Sequence, residues 1–363
     1  MTNPPLPPKA EADDAKQNNR HFPCPSCGAD LRFHPGEAQM LCTHCDTRVE
    51  VPHVDDEAAQ VEHGLLDHIA DEGEMTEVEV QALNCSTCGA SIEFDPEEHS
   101  RLCPFCDSAI VADVTTQRRI VPQGILPFAI MERQAHEHMA AWLKSRWFAP
   151  NDIENDAAAE SFSGVYVPLW TYDSQVDTRY TGQRGTRVRS GKRSYTKWTN
   201  VSGKVYNHFD DVLVSGSSSV SAEFKDALAP WTLEGLETYQ TEFLAGFRAE
   251  NHTVSISDGF SEAKKFMKLQ IKTTIKSHIG GSKQKISTIN SEYSGQSFKH
   301  ILLPVWITHY SLEKARYRLS VNGHTGKVYG QRPFSKLKLL GASFVLTLGS
   351  GALGFVISIA MGA

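Results

Sequence analysis

Between Arg48 and Arg101 the chain has no basic residue at all, while fifteen acidic residues fall in the same interval. Nucleic-acid affinity is built largely from lysine and arginine neutralising phosphates, which excludes this stretch as a phosphate-binding surface. A phosphate loop is also lacking. The nearest approach, GQRGTRVRSGKRS, has Thr186 where the first glycine is needed and Arg193 after Lys192, which excludes an ordinary ATPase or helicase motor. Neither a nucleophile elbow nor an HExxH pattern is present. The adjacent Asp210 and Asp211, read on a strand, would point to opposite faces. Nothing here therefore points to an enzyme. The first twenty residues carry four prolines and scattered charge but no apolar run. They read as a disordered leader rather than a secretory signal.

What is present is strongly polarised. Residues 21–113 hold twenty Asp/Glu against Arg32, Arg48 and Arg101, a net charge of -17. Residues 114–363 hold thirty Lys/Arg against twenty Asp/Glu, a net charge of +10. Such asymmetry bears on partners rather than on fold.

All eight cysteines fall in CxxC pairs. Cys24, Cys27, Cys42 and Cys45 form one set, and Cys85, Cys88, Cys103 and Cys106 repeat it sixty-one residues later. Each set reads C-x2-C-x14-C-x2-C, and the two aligned segments share eleven of twenty-three residues. This is an internal duplication with the spacing of two zinc ribbons, small rubredoxin-like β modules. Zinc takes four thiolates in a tetrahedron, and one tight turn supplies two corners. Gly28 and Gly89 are expected at positive φ, with Asp46 and Asp107 in the equivalent place after the later knuckles. Phe33 and Phe94 should pack beneath the metal. Fully paired CxxC motifs speak against disulfides, and four thiolates close the shell against catalysis, so two structural Zn2+ sites are expected. His34 and His44 read as surface residues.

The expected organisation is ribbon 1 over 21–51, an acidic linker over 52–80, ribbon 2 over 81–114 and an α+β domain over 115–335. Within the latter, apolar periodicity predicts helices near 128–148 and 259–279. The strands VYVPLWTYD (165–173) and ILLPVWITHY (301–310) share a Pro-x-Trp element, which predicts two related helix-plus-sheet units with Trp170, Tyr172, Trp306 and Tyr310 in the core. Two basic features stand out as candidate anion or partner sites. The hairpin 179–204 carries Arg184, Arg187, Arg189, Lys192, Arg193 and Lys197, interleaved with Tyr180, Tyr195 and Trp198. The second helix carries Lys264, Lys268, Lys272 and Lys276 at i,i+4 spacing. Lipid headgroups, an acidic partner and nucleic acid all fit such charge.

Residues 339–363 contain no charge, and a helix of that length would be about 37 Å long, enough for a bilayer core of about 30 Å. Arg332, Lys336 and Lys338 precede it. The reading is a basic flank and transmembrane tail anchor over 336–363, with the N-terminus cytoplasmic at a bacterial inner membrane. Ser350, Gly354, Ser358 and Gly362 would form a small-residue stripe suited to self-association.

The knuckles CxxCG, YVPLWTYD, TRYTGQRG, WTNVSGKVYNHFDDVLV, LAGFRAE, HILLPVWITHY and VNGHTGKVYGQRP resemble a bacterial family of zinc-ribbon proteins with a C-terminal membrane helix. Its members are often labelled primosomal protein N′ or superfamily II helicase-like, although the motor motifs are missing here. The layout is similar to a zinc-ribbon membrane protein of a PspA/SPFH membrane-stress system. That resemblance implies a membrane-anchored adaptor recruiting PspA- or SPFH-type partners, with the duplicated ribbon as a departure. The alternative is a nucleic-acid-binding accessory protein of replication or repair that uses the 179–204 hairpin.

Overall fold

The computed structural model describes residues 22–52, 62–65, 77–93, 101–110, 114–145, 162–312 and 315–330. Ribbon 1 is a three-stranded antiparallel sheet of β1 (Leu31–His34), β2 (Gln39–Cys42) and β3 (Arg48–Glu50). After the short β4 (His63–Gly64), ribbon 2 uses β5 (Glu77–Asn84), β6 (Ser91–Glu93) and β9 (Val114–Ile120), paired in the order β6-β5-β9. Between them β7 (Arg101–Leu102) and β8 (Ala109–Ile110) form a hairpin.

The rest is organised by three very long strands. These are β11 (Ser163–Ser190), β12 (Arg193–Ser215) and β15 (Lys283–Leu312). At about 3.3 Å per residue, β11 is on the order of 90 Å long. It pairs antiparallel with β12 along one edge and with β15 along the other. Shorter strands complete the sheet near its base: β10 (Gly124–Ile125), β13 (Glu237–Thr238), β14 (Arg248–Ala249), β16 (Ala315–Asn322) and β17 (Val328–Gly330). Among the described residues three α-helices decorate it: α1 (Glu132–Lys144), α2 (Ala222–Ala227) and α3 (Ile256–Ile279).

This architecture corrects the expected α+β domain. The chain is mostly β. The strand expected at 165–173 and the first arm of the hairpin expected over 179–204 are one continuous strand, β11, and the strand expected at 301–310 is the end of β15. The two Pro-x-Trp segments lie side by side on neighbouring antiparallel strands, Trp170 opposite His300 and Trp306 opposite Gly164. Trp170, Tyr172, Trp306 and Tyr310 are all buried.

The membrane expectation is corrected as well. Among the described residues no helix is long and apolar enough to cross a membrane. The longest, α3, has 24 residues but carries five lysines, so it is amphipathic. A single-pass protein of the inner membrane is not supported. The 336–363 segment, with Ser350, Gly354, Ser358 and Gly362, lies outside the described residues.

The packing of α3 follows from its sequence. Ser255 caps it, its hydroxyl accepting from the Asp258 N–H at 3.2 Å, and Gly280 ends it at φ 66°. Phe260, Ala263, Met267, Ile271 and Ile275 are buried against Trp170, Tyr172, Val176, Tyr180 and Phe298. A 24-residue helix is about 36 Å long and covers roughly eleven residues of strand. The outer third of the long sheet therefore extends past it.

Gly259 lets the helix seat. A Cβ there would lie 2.3 Å from the Tyr172 hydroxyl, which itself donates to the Ile256 carbonyl at 2.7 Å. Overpacking costs about 1–3 kcal/mol and alanine recovers only about 1 kcal/mol of helix propensity. Gly259→Ala should therefore lower the urea midpoint; an unchanged or higher midpoint would show that α3 does not rest on Tyr172 as described.

Candidate metal centres and surrounding charge clusters

The two cysteine sets converge as their spacing predicts. In ribbon 1, Cys24 Sγ lies 3.6 Å from Cys45 Sγ, and Cys27 Sγ lies 3.5 Å from Cys42 Sγ. In ribbon 2, Cys85–Cys106 and Cys88–Cys103 are both 3.6 Å apart. Within each set all four sulfurs lie within 4.8 Å of one another. These separations are far longer than a disulfide bond of about 2.05 Å and suit four ligands around one ion. The two four-cysteine groups could hold two metal ions.

The knuckle backbones explain how the sulfurs meet. The Gly28 and Gly89 N–H groups each donate back to the carbonyl of the first cysteine at 2.9 Å. Asp46 and Asp107 do the same for Cys42 and Cys103, at 3.0 and 2.8 Å. All four sit at positive φ: Gly28 77°, Gly89 76°, Asp46 58° and Asp107 59°. Phe33 is buried, with its ring 5.2 Å from that of Phe243. Phe94 lies outside the described residues. His44 is exposed, and His34 is half-buried near Glu37.

Neither ribbon stands apart from the main sheet. Cys24, Cys42, Leu31, Phe33 and Met40 share a core cluster with Phe128, Tyr166 and Trp306. Cys85, Cys103, Ile92 and Phe105 share another with Val165, Leu169, Phe224 and Ile301. Backbone bonds stitch ribbon 2 down, with Asn251 N–H donating to the Ser91 carbonyl at 2.8 Å and an Ile92–Glu250 bridge. The Arg318 guanidinium stacks 4.7 Å from the Phe224 ring and donates to the Phe105 carbonyl, inside the second knuckle, at 3.3 Å. Buried Arg119 and Glu93 pair between β9 and β6. The Arg318 guanidinium beside the second cysteine cluster offsets thiolate charge that burial would otherwise penalise.

A second cluster had no clear signal in the sequence. The register of β11 on β12 shifts between Tyr172 and Ser174, and Asp211 takes φ 50°. This bulge defeats strict alternation. Asp173 accepts from the Asp211 N–H at 2.5 Å and from the Ser297 hydroxyl at 3.1 Å, while Glu62, just before β4, and Asp210 on β12 approach it. Buried Lys299 sits between Asp211 at 2.9 Å and Glu62 at 3.6 Å. Burial first, then Glu62, pushes the Asp173 carboxyl up to about 6 against the Asp211 N–H. The fixed ammonium already supplies the cation this group needs.

The predicted basic residues separate into distinct roles. Arg184 donates to the Ile279 carbonyl and closes the end of α3. Arg187, Arg189, Lys192, Arg193 and Lys197 are exposed near the hairpin tip. Lys264 folds over the rings of Phe260 and Tyr293, at 4.3 and 5.3 Å, and leaves the stripe. Lys268, Lys272 and Lys276 stay exposed.

Beside ribbon 2, His252 and His300 stack around Trp170, with ring centroids 5.4 and 4.6 Å away. Burial, then Arg119, brings His252 down to about 4; burial, then His252, holds His300 well below its usual range.

No protein-family model matches the chain, and no solved structure matches it. Over 323 residues it is 25% identical to the uncharacterized protein YdjG of Bacillus subtilis (strain 168), spanning 88% of this chain and 91% of that one.

Two outcomes follow from this geometry. Elemental analysis should find two metal ions per chain, falling to one in Cys103→Ser, with the remaining ion held by ribbon 1; two ions in the variant would refute the four-sulfur shell. For the histidines, depressed folded pKa values mean stability that is complete above about 6.5 and lost as pH falls toward 4. His252→Phe keeps a ring against Trp170, so its unfolding free energy should fall less steeply than wild type between pH 6.5 and 4. Parallel curves, with equal metal content, would place the titration elsewhere.

Proposed function

We propose that this chain is a zinc-stapled adaptor whose acidic ribbon end docks a protein partner bearing a basic surface. Zinc is the metal best suited to the sites. A Zn–S bond of about 2.3 Å requires a tetrahedral sulfur–sulfur edge of about 3.8 Å, close to the separations seen. Four thiolates leave no open coordination position for a substrate, which makes the ions structural. Each filled site is formally -2 and deepens the negative field around it.

The observation that carries the reading is the exposed carboxylate set on these rigid modules. Asp30, Glu37, Asp46, Glu50, Glu77 and Glu79 are all exposed. Of the nearby exposed cations, Arg48 is engaged by Glu37 at 2.7 Å. Exposed Leu102 and Val114 on ribbon 2 add the apolar contact that a protein interface uses and a phosphate backbone does not. Partners of the PspA and SPFH type, implied by the family resemblance, are the first to test.

The test uses the intact protein as bait in cells, with crosslinking and quantitative recovery. A comparison bait carries Glu50→Gln, Glu77→Gln and Glu79→Gln, each on an exposed strand position. A partner recovered with wild type and depleted at least tenfold with the variant, at equal metal content, is the expected result. Equal recovery with both baits would remove the ribbons as the docking surface.

A further inference from the structure

The long sheet has two faces of opposite character beyond Ser174. Side chains alternate across it, so odd residues of β11 lie on one face with their cross-strand partners. Val176, Thr178, Tyr180 and Gly182 are buried on the α3 side, while Gln175, Arg179 and Thr181 are exposed on the other. No described element packs on that second face.

Its outer part is built in register from three strands. Gly185 pairs with Trp198 and Lys283, Gln183 with Asn200 and Lys285, Arg187 with Thr196, and Arg189 with Ser194. The same face therefore gathers Arg187, Arg189, Lys283 and Lys285 around Trp198, with no carboxylate among them. Arg184 is diverted to the opposite side, where it caps α3. Lys285 lies over the Trp198 ring at 4.3 Å. Tyr206, 56% exposed, occupies the same face eight residues along β12, roughly 27 Å away. Thr181, Thr288, Asn200 and Ser202 follow Trp198 with small polar groups, then Arg179 opposite Lys204, and Asp177 and Glu292 stand in register with Tyr206. Lys204, next along β12, is held by Asp177 at 2.8 Å.

We propose that the outer part of this face binds single-stranded nucleic acid, its phosphates along Arg187, Arg189, Lys283 and Lys285 and a base over Trp198. A cationic track beside an aromatic platform is the arrangement that grips unpaired strands without reading sequence. An acidic protein partner would want an apolar interface core, and this face offers only two separated rings. A bilayer would meet the hairpin tip first, whereas these cations run along a face. The acidic ribbon end repels phosphate and so confines the strand to the far half of the sheet. The site is independent of the ribbon docking surface.

The test titrates the full-length, metal-loaded protein into a fluorescein-labelled twenty-nucleotide dT oligonucleotide and follows anisotropy. Four phosphate contacts on a single strand predict a log–log salt slope of about -3. The combined substitution Arg187→Gln, Arg189→Gln, Lys283→Gln and Lys285→Gln should flatten that slope and weaken binding at least 100-fold. Trp198→Ala should weaken it roughly 5- to 150-fold with the slope unchanged, and Trp198→Phe should restore most of the loss. Lys268→Gln, Lys272→Gln and Lys276→Gln on the α3 side should have no effect. No anisotropy change, equal losses from the α3-side variant, or indifference to Trp198→Ala would each overturn the proposal. So would tighter binding, through the same four cations, to anionic phospholipid vesicles or to a poly-glutamate peptide.

Discussion

The buried backbone of β11 must be hydrogen-bonded on both edges, and nearly every other feature of the protein is arranged around that requirement. A 28-residue strand exposes donors and acceptors along its whole length, and burying any of them unpaired would cost free energy. Here β12 supplies one edge from Leu169 outward and β15 supplies the other from Ser163 to Gly185. At the base, where β12 has not yet begun, β14 adds two pairings at Val165 and Tyr166. Side chains then decide what covers each segment. The base is apolar on both faces and takes a ribbon on either side. The middle is apolar on one face and takes α3. The outer part is polar on both and takes nothing described.

This placement changes what the metal sites do. A free-standing ribbon is folded by its ion alone. In this protein the buried cysteines Cys24, Cys42, Cys85 and Cys103 belong to the same apolar clusters as the base of β11 and β15. The exposed sides of the shells face solvent through Cys27 and Cys45 in ribbon 1, while ribbon 2 is more enclosed, with Cys88 and Cys106 half-buried. Arg318 reaching the Phe105 carbonyl links the second knuckle directly to β16. The second cysteine cluster is therefore tied more tightly to the sheet packing than the first.

Much of the metal geometry was legible in the sequence, because it depends on residues within a few positions of each other. Paired CxxC spacing, a glycine after one knuckle and an aspartate after the other are local signals, and φ values of 58–77° at those four positions follow from them. The inward faces of α1 and α3 were equally local. Continuity of the long strands was not, since alternation reports which face a residue takes and says nothing of where a strand stops. The bulge at Asp173 was invisible for a similar reason: one extra residue on β12 brings Asp210 and Asp211 to the same cluster without altering composition. Lys264 shows the converse error. Helical spacing placed it in a solvent stripe, but Phe260 and Tyr293 lie within reach of its stem and draw it inward. For the apolar tail, absence of charge was read as a span, and no described helix supports one.

The charge asymmetry acquires meaning only on this scaffold. A net charge of -17 over residues 21–113 would be a diffuse property in a flexible chain. Anchored through two cysteine clusters to the base of the sheet, the exposed carboxylates Asp30, Glu37, Asp46, Glu50, Glu77 and Glu79 become a fixed acidic end. The exposed cations Arg187, Arg189, Lys192, Arg193 and Lys197 lie at the opposite limit of β11 and β12, on the order of 80 Å away by strand rise. Charges that far apart are screened from each other at physiological ionic strength, where the Debye length is about 8 Å. The two ends can therefore attract different partners without competing. A long, doubly bonded central strand is what keeps them separate.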